Sequence, residues 1–128
     1  IQYGDGDHLK SADIAKAMLA ANPDLAGIYA TNEGSAIVAV DAANELKLAP
    51  GKVKIVGFDS GKAQIDAIKS GIMAGAITQN PIGIGEATVQ AAVDAIAGKQ
   101  LPKFIDTGFF WYDKTNLENP EIAAVLYQ

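Results

Sequence analysis

The chain has 128 residues, the size of one ordinary domain, with 49% hydrophobic and 20% charged residues, a balance that reads as globular rather than disordered. Its net charge of -5 and pI of about 4.6 weigh against a nucleic-acid partner, whose phosphates call for clustered Lys and Arg. There is no cysteine, which excludes a disulfide framework, a thiolate metal site and a cysteine nucleophile.

No apolar stretch reaches the 18 residues or so of a membrane span before Gly, Asp or Lys interrupts it. The chain opens on Ile1-Gln2-Tyr3-Gly4, with no basic run ahead of an apolar one. Without an initiator Met, it is expected to be a fragment that lacks its start.

Along the chain, short β-like runs alternate with helical patterns, which predicts parallel βα units. A strand over 1–3 is followed by the turn Gly4-Asp5-Gly6-Asp7. A helix over 11–21 takes Ser11 as N-cap and stops before Pro23. Strand 25–31 and helix 34–46 come next, then a turn at Ala49-Pro50-Gly51. Val53 to Phe58 is the most strand-like run. Asp59 or Ser60 caps a helix over 62–69 closed by Gly71, and a strand over 72–78 follows. Asn80-Pro81 supplies an N-cap and N1 pair for a helix over 84–97, closed by Gly98. A last strand is expected over 104–111 and a terminal helix over 121–126, behind Asn119-Pro120. Continuously apolar runs such as Ile55-Val56-Gly57-Phe58 suit strands buried between helix layers. The expected fold is α/β: an open, doubly wound parallel sheet with right-handed crossovers.

In such sheets ligands bind outside the carboxyl ends of the strands. Asn32, Asp59 and Gln79 fall at those ends, with Asp5 and Asp7 behind the first strand, and all should converge on one edge. Amide donors and acceptors beside a carboxylate match a hydroxyl-rich ligand, because each hydroxyl both donates and accepts. Phe58 offers an apolar face. Asn and Asp at these junctions also read as plain helix caps. Gln79 does not, since Gln caps poorly and Asn80 already fills that role.

Other motifs carry less. Asp5-x-Asp7-His8 lacks the further oxygen ligands and the closing Glu of a calcium loop, and a single His gives zinc no partners. It reads as a polar turn, with no metal. Gly83-x-Gly85 has neither a third glycine nor a suitable acidic ribose ligand, so no nucleotide cofactor is expected. Ser35, Ser60 and Ser70 lack a nucleophile-elbow context. Strand alternation splits Phe109, Phe110, Trp111 and Tyr112 between two faces. Nothing here points to an enzyme.

Three segments resemble the ribose-binding-protein-like periplasmic receptors of ABC transporters. They are Asn22-Pro23-Asp24-Leu25-Ala26-Gly27-Ile28-Tyr29-Ala30-Thr31-Asn32-Glu33, Val53-Lys54-Ile55-Val56-Gly57-Phe58-Asp59, and Met73-Ala74-Gly75-Ala76-Ile77-Thr78-Gln79-Asn80-Pro81. Their order and spacing fit too. The resemblance implies the C-terminal half of a non-catalytic, periplasmic receptor for a monosaccharide or polyol, working with a membrane permease. It assigns sugar contacts to Asn32, Asp59 and Gln79, and less directly to Phe58. It further implies that 1–79 is part of the C-terminal lobe and that 80–106 crosses to pack on a missing N-terminal lobe. Residues 107–128 would return through the hinge into a last strand and helix, without sugar contacts. Alone, the chain should self-associate through Ile84, Val89, Val93 or Ile96. The alternative is the effector-binding half of a lactose-repressor-family regulator, which shares the fold; a helix-turn-helix upstream rather than a signal peptide would mark it.

Overall fold

The computed structural model describes residues 1–127; Gln128, the end of the 107–128 segment, lies outside the described residues. In chain order the elements are α1 (His8–Ala21), β1 (Gly27–Tyr29), α2 (Glu33–Glu45), β2 (Lys54–Phe58), α3 (Lys62–Lys69), β3 (Met73–Gln79), α4 (Pro81–Ile96), β4 (Phe109–Tyr112) and α5 (Pro120–Ala123). The strands form one four-stranded sheet in the order β1-β2-β3-β4. β1, β2 and β3 are parallel, and β4 joins β3 antiparallel. The open, mainly parallel α/β sheet expected from the sequence is therefore present.

Several boundaries differ, each for a local reason. Residues 1–3 form no strand and lie exposed; a three-residue run has no stability as a strand without a neighbour to pair its backbone. α1 starts at His8 because Asp7 is the cap, its carboxylate accepting from the Lys10 N–H at 2.7 Å. Ser11 instead donates its hydroxyl back to the Asp7 carbonyl. α3 begins at Gly61 with no side-chain cap, so neither Asp59 nor Ser60 serves there. The last strand is confined to Phe109–Tyr112. The cap at Asn80 and the Pro that follows it are as expected, with Asn80 Oδ1 accepting from the Gly83 N–H at 3.0 Å.

Right-handed crossovers that always step to the next strand put successive helices on the same face. Here α2 and α3 both reach Gly57, where an added Cβ would press on Ala36, Gln64 and Met73. Gly57 is thus the point of closest approach between β2 and its helices. The core gathers on this face: Ala36, Ala39 and Ala43 of α2, Ile65 and Ile68 of α3, Ile55, Ala76 and Tyr112 of the sheet, and Ile122 of α5. The small alanines let α2 lie close to the sheet. A smaller cluster of Ala15, Leu19, Ala42 and Val53 seats α1 against the other side of α2. By register, Tyr29, Val56, Phe58, Ile77 and Trp111 share the opposite face, and there Tyr29 and Trp111 are exposed.

β4 runs so close to β3 that Gly75 has room for no side chain. A Cβ there would stand 2.7 Å from Trp111 Cη2 and 2.8 Å from the Tyr112 carbonyl oxygen. Gly75→Ala should therefore displace β4 and cost about 1–3 kcal/mol, the range for overpacking. Urea denaturation checks this, and unchanged stability would show that β4 yields freely.

Candidate functional site at the carboxyl edge of the sheet

The carboxyl ends of β1, β2 and β3 lie side by side. Tyr29, the last residue of β1, pairs with Val56, and Asn32 and Asp59 each follow three residues further on, past the carboxyl ends of neighbouring strands. Phe58 pairs with Ile77, which brings Gln79 alongside the same turn. The row spans two strand spacings, roughly 10 Å. Gln79 Nε2 donates to Asp59 Oδ1 at 3.2 Å. The structure thus joins Asp59 to Gln79 directly, with Asn32 past the end of the adjacent strand.

Asn32 also fulfils the capping alternative. Its Oδ1 accepts from the Ser35 N–H at 2.8 Å, within a full capping box at the start of α2. The cap commits the oxygen, so the amide nitrogen is the group left for other partners. Phe58 is half-buried on the strand face shared with Ile77 and Trp111, beside the Asp59 turn rather than at its tip. Asp5 and Asp7 do not join the row. Asp5 pairs with the Lys10 ammonium, and Asp7 is the cap of α1. They border a concavity of about 760 Å³ beside β1, which also takes in Tyr3, Ile14, Tyr29 and Asn32. A shallower hollow of about 430 Å³ lies between α4 and residues 101–107. Neither includes Asp59 or Gln79, which stand on an open edge.

Asp59 has φ +74, in the left-handed region, where a non-glycine residue needs support from its surroundings. The surrounding groups supply it. The Asp59 N–H donates to the Ile77 carbonyl at 2.8 Å. Gln64 Nε2 donates to the Phe58 carbonyl at 2.9 Å and the Tyr112 hydroxyl to the Asp59 carbonyl at 2.7 Å. The buried Ser60 and Thr78 hydroxyls meet at 3.0 Å, and the Tyr127 N–H reaches Ser60 Oγ at 3.3 Å. The Glu33 carboxylate packs over Gly61, where the positive end of the α3 dipole favours a negative charge.

Ionisation follows these surroundings. Burial, then the charges of Tyr127, Glu33 and Asp59, holds the Tyr112 phenol well above its ordinary range, so it stays a neutral donor. Burial also raises the Tyr127 phenol, and the Asp59 and Glu33 carboxylates add to the effect. Asp113, beyond this turn, is held below the ordinary 3.8 by the Thr115 hydroxyl first and the Trp111 indole next.

Gln64, Tyr112, Tyr127 and Glu33 were not singled out from the sequence. Gln64 did leave a signal: it occupies the buried stripe of α3 with Ile65 and Ile68, an unfavourable place for a polar side chain without a partner. The partner of Tyr112 lies 53 residues away, and no local pattern announces it.

Residues 1–100 match the family described as "Periplasmic binding protein domain". The chain belongs to that family. It is 30% identical over 105 residues to the ribose import binding protein of Bacillus subtilis, covering 81% of this chain and 33% of that protein. It is 36% identical over 103 residues to the D-allose-binding periplasmic protein of Escherichia coli, covering 79% of this chain and 32% of that one. An ABC transporter solute-binding protein of Agrobacterium vitis, solved with bound alpha-D-tagatopyranose, superposes with a TM-score of 0.92 at 34% identity, over 99% of this chain and 42% of its own. The chain spans about one-third of the length of the curated relatives it matches.

The dual position of Asn32 is testable. Asn32→Ala removes the cap and should cost about 0.5–2 kcal/mol of stability, whereas Asn32→Asp keeps most of it. Thermal unfolding of the two variants measures the difference; equal losses would mean that the cap contributes little.

Proposed function

We propose that this chain is the C-terminal lobe of a periplasmic receptor that binds a monosaccharide or related polyol without chemical change. The receptor delivers its ligand to the membrane permease of an ABC transporter. The observation that carries this reading is the Asp59–Gln79 hydrogen bond at the carboxyl edge that Asn32 shares. In that row a sugar hydroxyl donates to the Asp59 carboxylate and accepts from the amide nitrogens of Gln79 and Asn32. Phe58 adds apolar surface beside the turn. The names of the relatives quoted above, for ribose and allose, favour a receptor over a repressor-type regulator and a sugar over other solutes.

In this reading residues 1–79 carry the sugar contacts, 80–106 pack on an N-terminal lobe, and 107–128 return through a hinge. Support comes from α4, none of whose residues is buried. Val89 is 65% exposed and Ile96 89%, far more apolar surface than an isolated helix leaves in water without cost. Closure of two lobes would bury the sugar between them by a hinge motion.

In a receptor carrying this lobe, Asp59→Ala should weaken binding about 10- to 150-fold, matching roughly 1.5–3 kcal/mol for a hydrogen bond to a charged group. Calorimetry with D-ribose, D-allose and D-tagatose measures it, and an unchanged affinity would remove Asp59 from the site. The isolated chain should self-associate through α4. Light scattering should then show Val89→Lys and Val93→Lys shifting it toward monomer, and a wild-type monomer would count against α4 as a covered surface.

A further inference from the structure

We propose that Tyr112 is a positioning residue for the binding row, acting through the backbone of Asp59. This rests on the reading of Asp59 as a sugar ligand.

Tyr112 ends β4 and is fully buried, yet it comes from a strand with no expected part in ligand contact. Its ring lies in the main core cluster with Ile55, Ile68 and Ala76, so the position of its hydroxyl is set by packing. That hydroxyl donates to the Asp59 carbonyl at 2.7 Å. Burial raises the phenol above its ordinary range, so the hydroxyl is a neutral donor near neutral pH.

Asp59 holds φ +74 with both of its peptide groups tied. On one side its N–H is held by Ile77, and Gln64 holds the carbonyl that precedes it. On the other side the tie is Tyr112. The carboxylate leaves this strained residue to meet Gln79. Released from Tyr112, Asp59 would relax out of the left-handed region, and the change in φ would swing its carboxylate away from Gln79. Tyr112 thus transmits the position of β4 to the ligand row. β4 follows the long segment after α4, so a shift of that segment reaches Asp59 through the Tyr112 hydroxyl as well as through the β3 ladder.

The test is a double-mutant cycle in a receptor carrying this lobe, titrated calorimetrically with D-ribose, D-allose and D-tagatose. Tyr112→Phe keeps the ring and removes the donor. It should lower affinity about tenfold when Asp59 is present. In the Asp59→Ala background it should change affinity by no more than about twofold, because the group it positions is gone. A general loss of stability would weaken binding in both backgrounds alike. Equal losses in the two backgrounds, or no loss in either, would overturn the proposal.

If none of the three sugars binds the native receptor, the sugar reading fails, and the positioning role is decided on the ligand-free chain. There Tyr112→Phe should move the Asp59 carbonyl and Cα carbon-13 shifts away from those of a left-handed residue. Unmoved shifts would refute the role of Tyr112 independently of any ligand.

Discussion

The turn that closes β2 is the constraint on which the site depends. Where Phe58 gives way to Asp59 the chain leaves the sheet ladder, and its backbone groups lose strand partners while still against the core. Buried carbonyls and amides without partners are costly. In this turn each finds one: Gln64 from α3, Tyr112 from β4 and Ile77 from β3. The helix that follows and two strands distant in sequence therefore converge on two consecutive residues. The left-handed conformation of Asp59 is tolerable because that network over-determines it.

The same turn links the fold to its chemistry. It ends the central strand, starts α3 at Gly61, and brings the Glu33 carboxylate from the start of α2 over that helix end. A carboxylate at a helix N-terminus is favourable, so Glu33 ties the start of α2 to the start of α3, beside Asn32 and Asp59. The groups proposed to meet a ligand are exposed or half-buried, while the Tyr112 and Gln64 side chains that hold the turn are buried. A side chain on such a support loses little freedom on binding, which limits the entropic cost of capture.

One-way winding explains the uneven surface. Each crossover steps to the next strand with the same hand, so α2 and α3 share a face and Tyr29 and Trp111 emerge on the other. α4 departs after Asn80-Pro81 and buries none of its residues, although its mean composition is strongly apolar. Its apolar character comes from Ile82, Ile84, Val89, Val93 and Ile96. Within residues 1–127 the buried clusters lie on the α2 and α3 side of the sheet and between α1 and α2, while α4 buries nothing.

Most elements were legible in the sequence because their signals are local. Apolar runs announce β2 and β3, Asn80-Pro81 announces α4, and strand ends followed by polar residues announce Asn32, Asp59 and Gln79. Misjudged boundaries came from competition between neighbours of similar chemistry, as when Asp7 rather than Ser11 capped α1. What the sequence by itself determined is the order of βα units, and with it the single edge where the polar residues gather, since parallel strands share one carboxyl end. What only the tertiary structure decided is how those residues are held. The left-handed backbone of Asp59, its bond to Gln79, and the hydroxyl of Tyr112 beneath it depend on contacts across 20 and 53 residues of chain. Periodicity and capping rules read only a few residues at a time, whereas such contacts exist only once the strands have docked.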